Sequence, residues 1–186
     1  IMKQQIITML ELQDTMNSKV NPEWRSQGNE WYRAIWVECA ELMDHYGWKW
    51  WKSQKPDREQ VELELIDIWH FGISIALEQT HDYEMLAEKL EKELIFDVPD
   101  LDFRAAIEAF ALGTLSTKRF DVKGFASLMT LSGLSFEGLF RSYVAKNVLN
   151  IFRQDHGYKE GTYIKVWQGK EDNEHLMEIL STMQAE

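Results

Sequence analysis

Apolar residues recur three and four positions apart along most of this chain, and the runs are separated by short polar or glycine- and proline-marked breaks. Ile6, Met9, Leu10, Gln13 and Asn17 share one helical face over residues 2–17, and "VNPEW" interrupts that run. The pattern predicts a second helix that starts between Pro22 and Asn29 and ends near Tyr46, with Gly47 as its stop. Asp57 is placed to cap a long helix that reaches about Thr80. Further helices are expected over 82–95, 100–113, 121–131, 135–155 and 172–184, with "FDVPD" at 96–100 as a break. The stretch "GYKEGTYIKVWQGKEDN" reads as non-helical, and alternation of the β type is weak everywhere. The expectation is an all-α fold, a helical bundle with a four-helix core, as one domain over 1–186 with room for a mobile sub-part around 80–140.

Composition narrows the function classes. The 186 residues are 45% hydrophobic, enough for a globular core. A net charge of −11 repels polyanions and speaks against a general nucleic-acid or membrane-surface binder, although a small anion could be held where basic residues cluster. The lone cysteine, Cys39, excludes an intrachain disulfide and fits a reducing, cytoplasmic setting. Neither an apolar run long enough to span a bilayer nor a signal-like start is read.

The polar residues inside the apolar runs carry the chemistry. Glu38 and Glu41 project from one helical face, with His45 a turn further on. Glu64 and Asp67 do the same on the next helix, within a narrow polar stripe of Gln60, Glu64, Asp67, Phe71 and Ser74 on an otherwise apolar cylinder. Antiparallel packing of the two helices would bring the pairs face to face. Two unit charges about 4 Å apart repel by roughly 4 kcal/mol at the effective dielectric of a protein surface. Such carboxylates either take up protons or recruit a cation. Hard oxygen ligands without thiols or clustered imidazoles point to Mg²⁺ or Mn²⁺ rather than Zn²⁺. A di-iron bundle would need Glu-x-x-His on two helices, and only Asp67-x-x-His70 occurs. On a later helix Lys146, Asn150 and Arg153 share a face, followed by Tyr158, Lys165 and Asn173 in the glycine-punctuated stretch. That is a local concentration of donors suited to phosphates.

E-x-x-E followed after 22 residues by E-x-x-D resembles the signature of the all-α nucleoside triphosphate pyrophosphatases. "LQD...N" at 12–17, "WVECAELMDH" at 36–45, "WKWWK" at 48–52, "ELIDIWHF" at 64–71 and "KNVLNIFRQDHGYKEGTYIKVWQGKEDN" at 146–173 are similar to the dimeric all-α dUTP pyrophosphatases. The resemblance implies Mg²⁺-dependent hydrolysis of dUTP, and of dUDP, to dUMP by a homodimer. It implies that Glu38, Glu41, Glu64 and Asp67 hold metal, with Glu38 orienting and deprotonating the attacking water. It also implies that Gln13 and Asn17 read the uracil edge, that Trp50 walls the base, and that His70 and Phe71 line the deoxyribose. Lys146, Asn150, Arg153, Tyr158, Lys165 and Asn173 would grip the phosphates. Two alternatives stand beside this reading: a relative that prefers dCTP or another nucleotide, and a non-catalytic helical interaction module.

Trp24, Trp31, Trp36 and Trp69 are expected in the core or at a dimer interface. Cys39 points about 100° away from Glu38 and is read as a packing residue. His81, His156 and His175 belong to no constellation and are read as surface residues. The segment 157–173 has Gly157, Gly161 and Gly169 but few apolar anchors, and it is expected to act as a mobile clamp on the phosphates.

Overall fold

The structure, a computed structural model, describes residues 1–95 and 97–184. The described residues form eight α-helices: α1 (Met2–Val20), α2 (Trp31–Tyr46), α3 (Arg58–Gln79), α4 (Tyr83–Leu94), α5 (Phe103–Thr117), α6 (Val122–Ser132), α7 (Phe136–Asp155) and α8 (Asp172–Gln184). A two-residue hairpin, β1 (Val166–Trp167) with β2 (Lys170–Glu171), precedes α8. The fold is all-α. No helix among the described residues is long and apolar enough to cross a membrane.

Capping chemistry sets five of the eight starts. The side chains of Asp57, Asp82, Asp102, Asp121 and Ser135 each accept a hydrogen bond from the backbone N–H three residues on. Each such cap is worth about 1 kcal/mol. Asp57 was expected in that role. Asp102 sets the start of α5 at Phe103, three residues after the expected start at 100. Its apolar stripe (Phe103, Ile107, Phe110, then Thr114) carries the helix through Gly113 to Thr117. A glycine inside a helix costs about 1 kcal/mol relative to alanine, and burial of that face outweighs it. Of the break expected at 96–100, Phe96 lies outside the described residues.

The second helix begins later than the pattern suggested. Asn21 folds the chain back by accepting the Glu23 N–H on its side chain and the Trp24 N–H on its carbonyl. A single 3₁₀ turn, Trp24–Ser26, follows, and Gly28 at φ 69° redirects the chain before Trp31. Trp24 is thereby buried beside α1 and α3 instead of extending a helix.

α3 is the central element. Thirteen of its residues are buried around nearly its whole circumference, because α2 packs along one side and α1, α6 and α7 cover the others. A Cβ on Gly72 would stand 2.6 Å from the Phe120 ring, so only glycine lets that ring lie against the α3 backbone. Phe120 in turn meets Trp69 edge-on, and Phe125 stacks on Trp69 at 5.4 Å. α4, α5 and α6 contribute Leu86, Phe110 and Phe125 to the same core cluster as α1, α2, α3 and α7. α8 sits apart, with Met177 and Leu180 against Leu63. The helices α1, α2, α3 and α7 surround the cavity described next.

Candidate active site

A cavity of about 780 Å³ opens among α1, α2, α3 and α7, within the usual size of a small-molecule site. It is lined by every residue expected to hold metal, base, sugar or phosphate except Gln13 and Trp50.

At one end α2 and α3 present their carboxylates to each other. Glu38, Glu41 and Glu64 each offer an oxygen, and the three oxygens lie within 4.8 Å of one another. One oxygen of Glu38 and one of Glu64 are buried without a hydrogen-bond partner. Burial, and then the neighbouring carboxylates, push Glu64 up to about 11, and burial likewise pushes Glu38 up to about 7. His45 Nε2 stands 3.4 Å from the remaining Glu64 oxygen. Crowded, partly buried, orphaned oxygens without thiolate fit a hard divalent cation, which would replace the missing partners and the protons together. Asp67 lies outside this trio. Its Oδ1 is 3.5 Å from Lys146 Nζ, so it joins the carboxylate end to the basic one.

α7 supplies the basic wall. Lys146, nearly fully buried, donates to Asn173 Oδ1 at 2.5 Å as well as facing Asp67. Arg153 forms a two-pronged ion pair with Asp172, Nε to Oδ2 at 2.7 Å and Nη2 to Oδ1 at 2.6 Å, and its guanidinium lies over the Tyr158 ring. Tyr163 donates to the same carboxylate at 2.7 Å. Burial alone would raise the Asp172 carboxyl, but the hydrogen bonds from Arg153 and Tyr163 hold it below its usual range. These contacts seat the segment expected to act as a clamp against α7. Gly157 (φ 88°) starts that segment, and a Cβ there would collide with Thr162 Oγ1. Lys165 pairs with Glu171 across the hairpin at 3.3 Å, and Asn150 lines the wall between Lys146 and Arg153.

The far end is aromatic and amide-lined. Trp31 lies between Trp24 (6.0 Å, edge-on) and Phe71 (6.2 Å), and all three border the cavity. Asn17 and His70 close this end. Gln13 is fully buried one layer behind them; its Nε2 donates to Asn17 Oδ1 at 2.8 Å and lies 3.1 Å from His70 Nε2. Trp50 is elsewhere. It is 87% exposed on the loop between α2 and α3, edge-on to Trp51, and does not reach the cavity in this structure.

Several lining residues were not anticipated. Trp24 and Trp31, expected in the core or at an interface, border the cavity, as do Asn21 from the expected break and Gln27 and Asn29 from the stretch where a helix start is expected. Asp172 was read only as a helix start. Its signal is a buried acid beside a donor-rich loop, which no local spacing reveals. Cys39, as expected, is buried in the core, and its thiol is pushed up to about 12 by burial. Trp69 is fully buried, whereas Trp36 is partly exposed.

No curated protein matches the chain. A family model described as dUTPase, that of the all-α dUTPases, matches residues 5–158, which takes in α2, α3 and α7 in full and α1 from its fourth residue on, and with them all four carboxylates. Lys165 and Asn173 lie beyond the match. With the match covering most of the chain and all four helices around the cavity, this protein belongs to the all-α dUTPase family and is a dUTP diphosphatase.

Proposed function

We propose that this enzyme hydrolyses dUTP to dUMP and pyrophosphate with a divalent cation, Mg²⁺ or Mn²⁺, held by Glu38, Glu41, Glu64 and Asp67, and that it cleaves dUDP to dUMP and phosphate. The observation that carries this reading is the meeting of three clustered carboxylates, two of them with an orphaned buried oxygen, with a wall of buried cations in one cavity. When bound, the cation supplies neutralisation of charge on the phosphate oxygens and the leaving group. Glu38 orients the attacking water and takes its proton. Glu38 borders the cavity beside Glu41 and Glu64, where a positioned carboxylate can act as the general base. Lys146 and Arg153 hold the phosphate chain, with Asn150, Tyr158, Lys165 and Asn173 donating along it. Asn17 reads the base, while His70 and Phe71 border the sugar, where an apolar ring disfavours a 2′-hydroxyl by leaving it unsolvated.

Gln13 enters this scheme through Asn17 and His70 rather than by touching the ligand, and the aromatic surface is provided by Trp31 and Phe71. A homodimer fits the exposed Trp36, Val37, Val148 and Ile164. A reducing compartment, the cytoplasm, fits the single free thiol. The test is a panel of dUTP, dUDP, dCTP, dTTP and UTP with product detection. Preference for dUTP and dUDP is expected. Equal turnover of dCTP would transfer the assignment to a cytosine-nucleotide pyrophosphatase.

A further inference from the structure

Behind the base end of the cavity lies a buried chain of hydrogen bonds that links α7, α1 and α3. Tyr143, fully buried on α7, places its hydroxyl 2.7 Å from Gln13 Oε1 and 3.2 Å from the Met9 carbonyl inside α1. A phenol has one proton, and the shorter contact takes it. Burial raises the Tyr143 phenol further above its ordinary value, so it stays a donor. With its oxygen occupied, Gln13 turns its two amide protons toward Asn17 Oδ1 at 2.8 Å and His70 Nε2 at 3.1 Å. At the other end Asn17 Nδ2 donates to Ser74 Oγ at 3.0 Å, and Ser74 donates to the His70 carbonyl at 3.0 Å. Ser74 is also fully buried.

This ordering has consequences for what remains free. His70 Nε2 must accept, so the ring proton sits on Nδ1, a buried atom without a partner among the described residues. Burial keeps the ring neutral, with its pKa held down to about 3. Asn17 retains one N–H and one oxygen lone pair. The free groups are therefore one acceptor and two donors. The edge of an imide, a donor N–H between two carbonyls, complements that set in kind. The edge of a 4-aminopyrimidine reverses two of its three positions. An unrestrained amide could rotate by half a turn and serve either edge.

We propose that Tyr143 and Ser74, neither of which lines the cavity, are positioning residues that lock the Asn17 amide and the His70 tautomer, and thereby confer selectivity for uracil over cytosine nucleotides. The inference rests on the uracil-nucleotide reading of the cavity given above. Two measurements on the full chain test it. In the first, kcat/KM for dUTP and dCTP is compared in wild type, Tyr143→Phe and Ser74→Ala. The dUTP-over-dCTP ratio is expected to fall about tenfold in each variant, with kcat on dUTP changing much less; a purely structural role would lower both substrates together. In the second, ¹⁵N NMR of the nucleotide-free wild type is expected to show the His70 ring protonated on Nδ1. An Nε2-protonated ring, or an unchanged ratio in variants that still hydrolyse dUTP, overturns the lock. If a variant does not fold, the wild-type tautomer decides. If the wild type hydrolyses no dUTP, the functional reading fails on its own, and the tautomer still decides the lock.

Discussion

The two ends of the cavity are built on opposite rules. At the carboxylate end, Glu38, Glu41 and Glu64 are pressed together with orphaned oxygens, and burial drives Glu38 and Glu64 toward protonation. At the base end, Gln13, Asn17, Ser74 and Tyr143 all have partners, and the orphans there among the described residues are two uncharged ring nitrogens, His70 Nδ1 and Trp31 Nε1. The first end is unsatisfied in charge and the second is satisfied in all but pattern. On the proposed reading, in which the first end takes up a metal and a triphosphate, charge left uncompensated until the ligand arrives favours binding. A site that must tell one base edge from another gains by fixing its donors and acceptors beforehand, because a mismatched ligand then leaves buried groups unpaired.

The contrast is sharpest where a single atom changes. Glu64→Gln or Asp67→Asn keeps shape but removes a charge from the crowded end. Each is expected to lower dUTP kcat/KM by about a hundredfold or more, measured by steady-state pyrophosphate release at saturating Mg²⁺. Near-normal turnover in either variant would mean that the charge is not used.

Between the two ends, Arg153→Ala tests the seated segment. It leaves Asp172 buried with Tyr163 but without its cation, which costs about 3 kcal/mol of local stability. Amide exchange over 157–173 is expected to accelerate, and dUTP hydrolysis to fall about thirtyfold while deoxyuridine binding changes little. Equal losses in both would place Arg153 at the base end instead.

Acid and base should separate the ends as well. In chelator, the contribution of Glu38 to stability is fully present below its ordinary value of 4.5 and is lost as the pH rises to about 7. That of His70 is present above its ordinary 6.5 and is lost as the pH falls toward about 3. Thermal midpoints measured across pH 3–8 are expected to lose the neutral-side slope in Glu38→Gln and the acid-side slope in His70→Asn. If neither variant changes its slope, the two ends do not differ in the way described.

The smallest effect is expected at Trp50. With its ring outside the cavity, Trp50→Ala should change the KM for dUTP by no more than about threefold, roughly 0.7 kcal/mol. A larger loss would mean that the loop between α2 and α3 folds over the base, as the resemblance implied.

What the sequence made legible follows from the range of the interactions involved. Glu38 with Glu41, Glu64 with Asp67, and Lys146 with Asn150 and Arg153 all lie one helical turn apart, so periodicity alone groups them. The caps at Asp57 and the stop at Gly47 are equally local. The turn at 21–30 was missed because its order comes from an Asn21 side chain and a positive-φ Gly28, which interrupt periodicity without replacing it. Asp172 and Tyr143 were missed because their partners, Arg153 and Gln13, are 19 and 130 residues away in sequence. Trp50 was assigned through resemblance, and its position in space depends on how a loop rests on the surface.

The most direct test of the central claim is dUTP hydrolysis by the full chain in the presence of chelator, followed by addition of Mg²⁺ in excess, with pyrophosphate and dUMP both quantified. The account predicts no product before Mg²⁺ is added and equal amounts of dUMP and pyrophosphate afterwards. Undiminished product formation in chelator would contradict it.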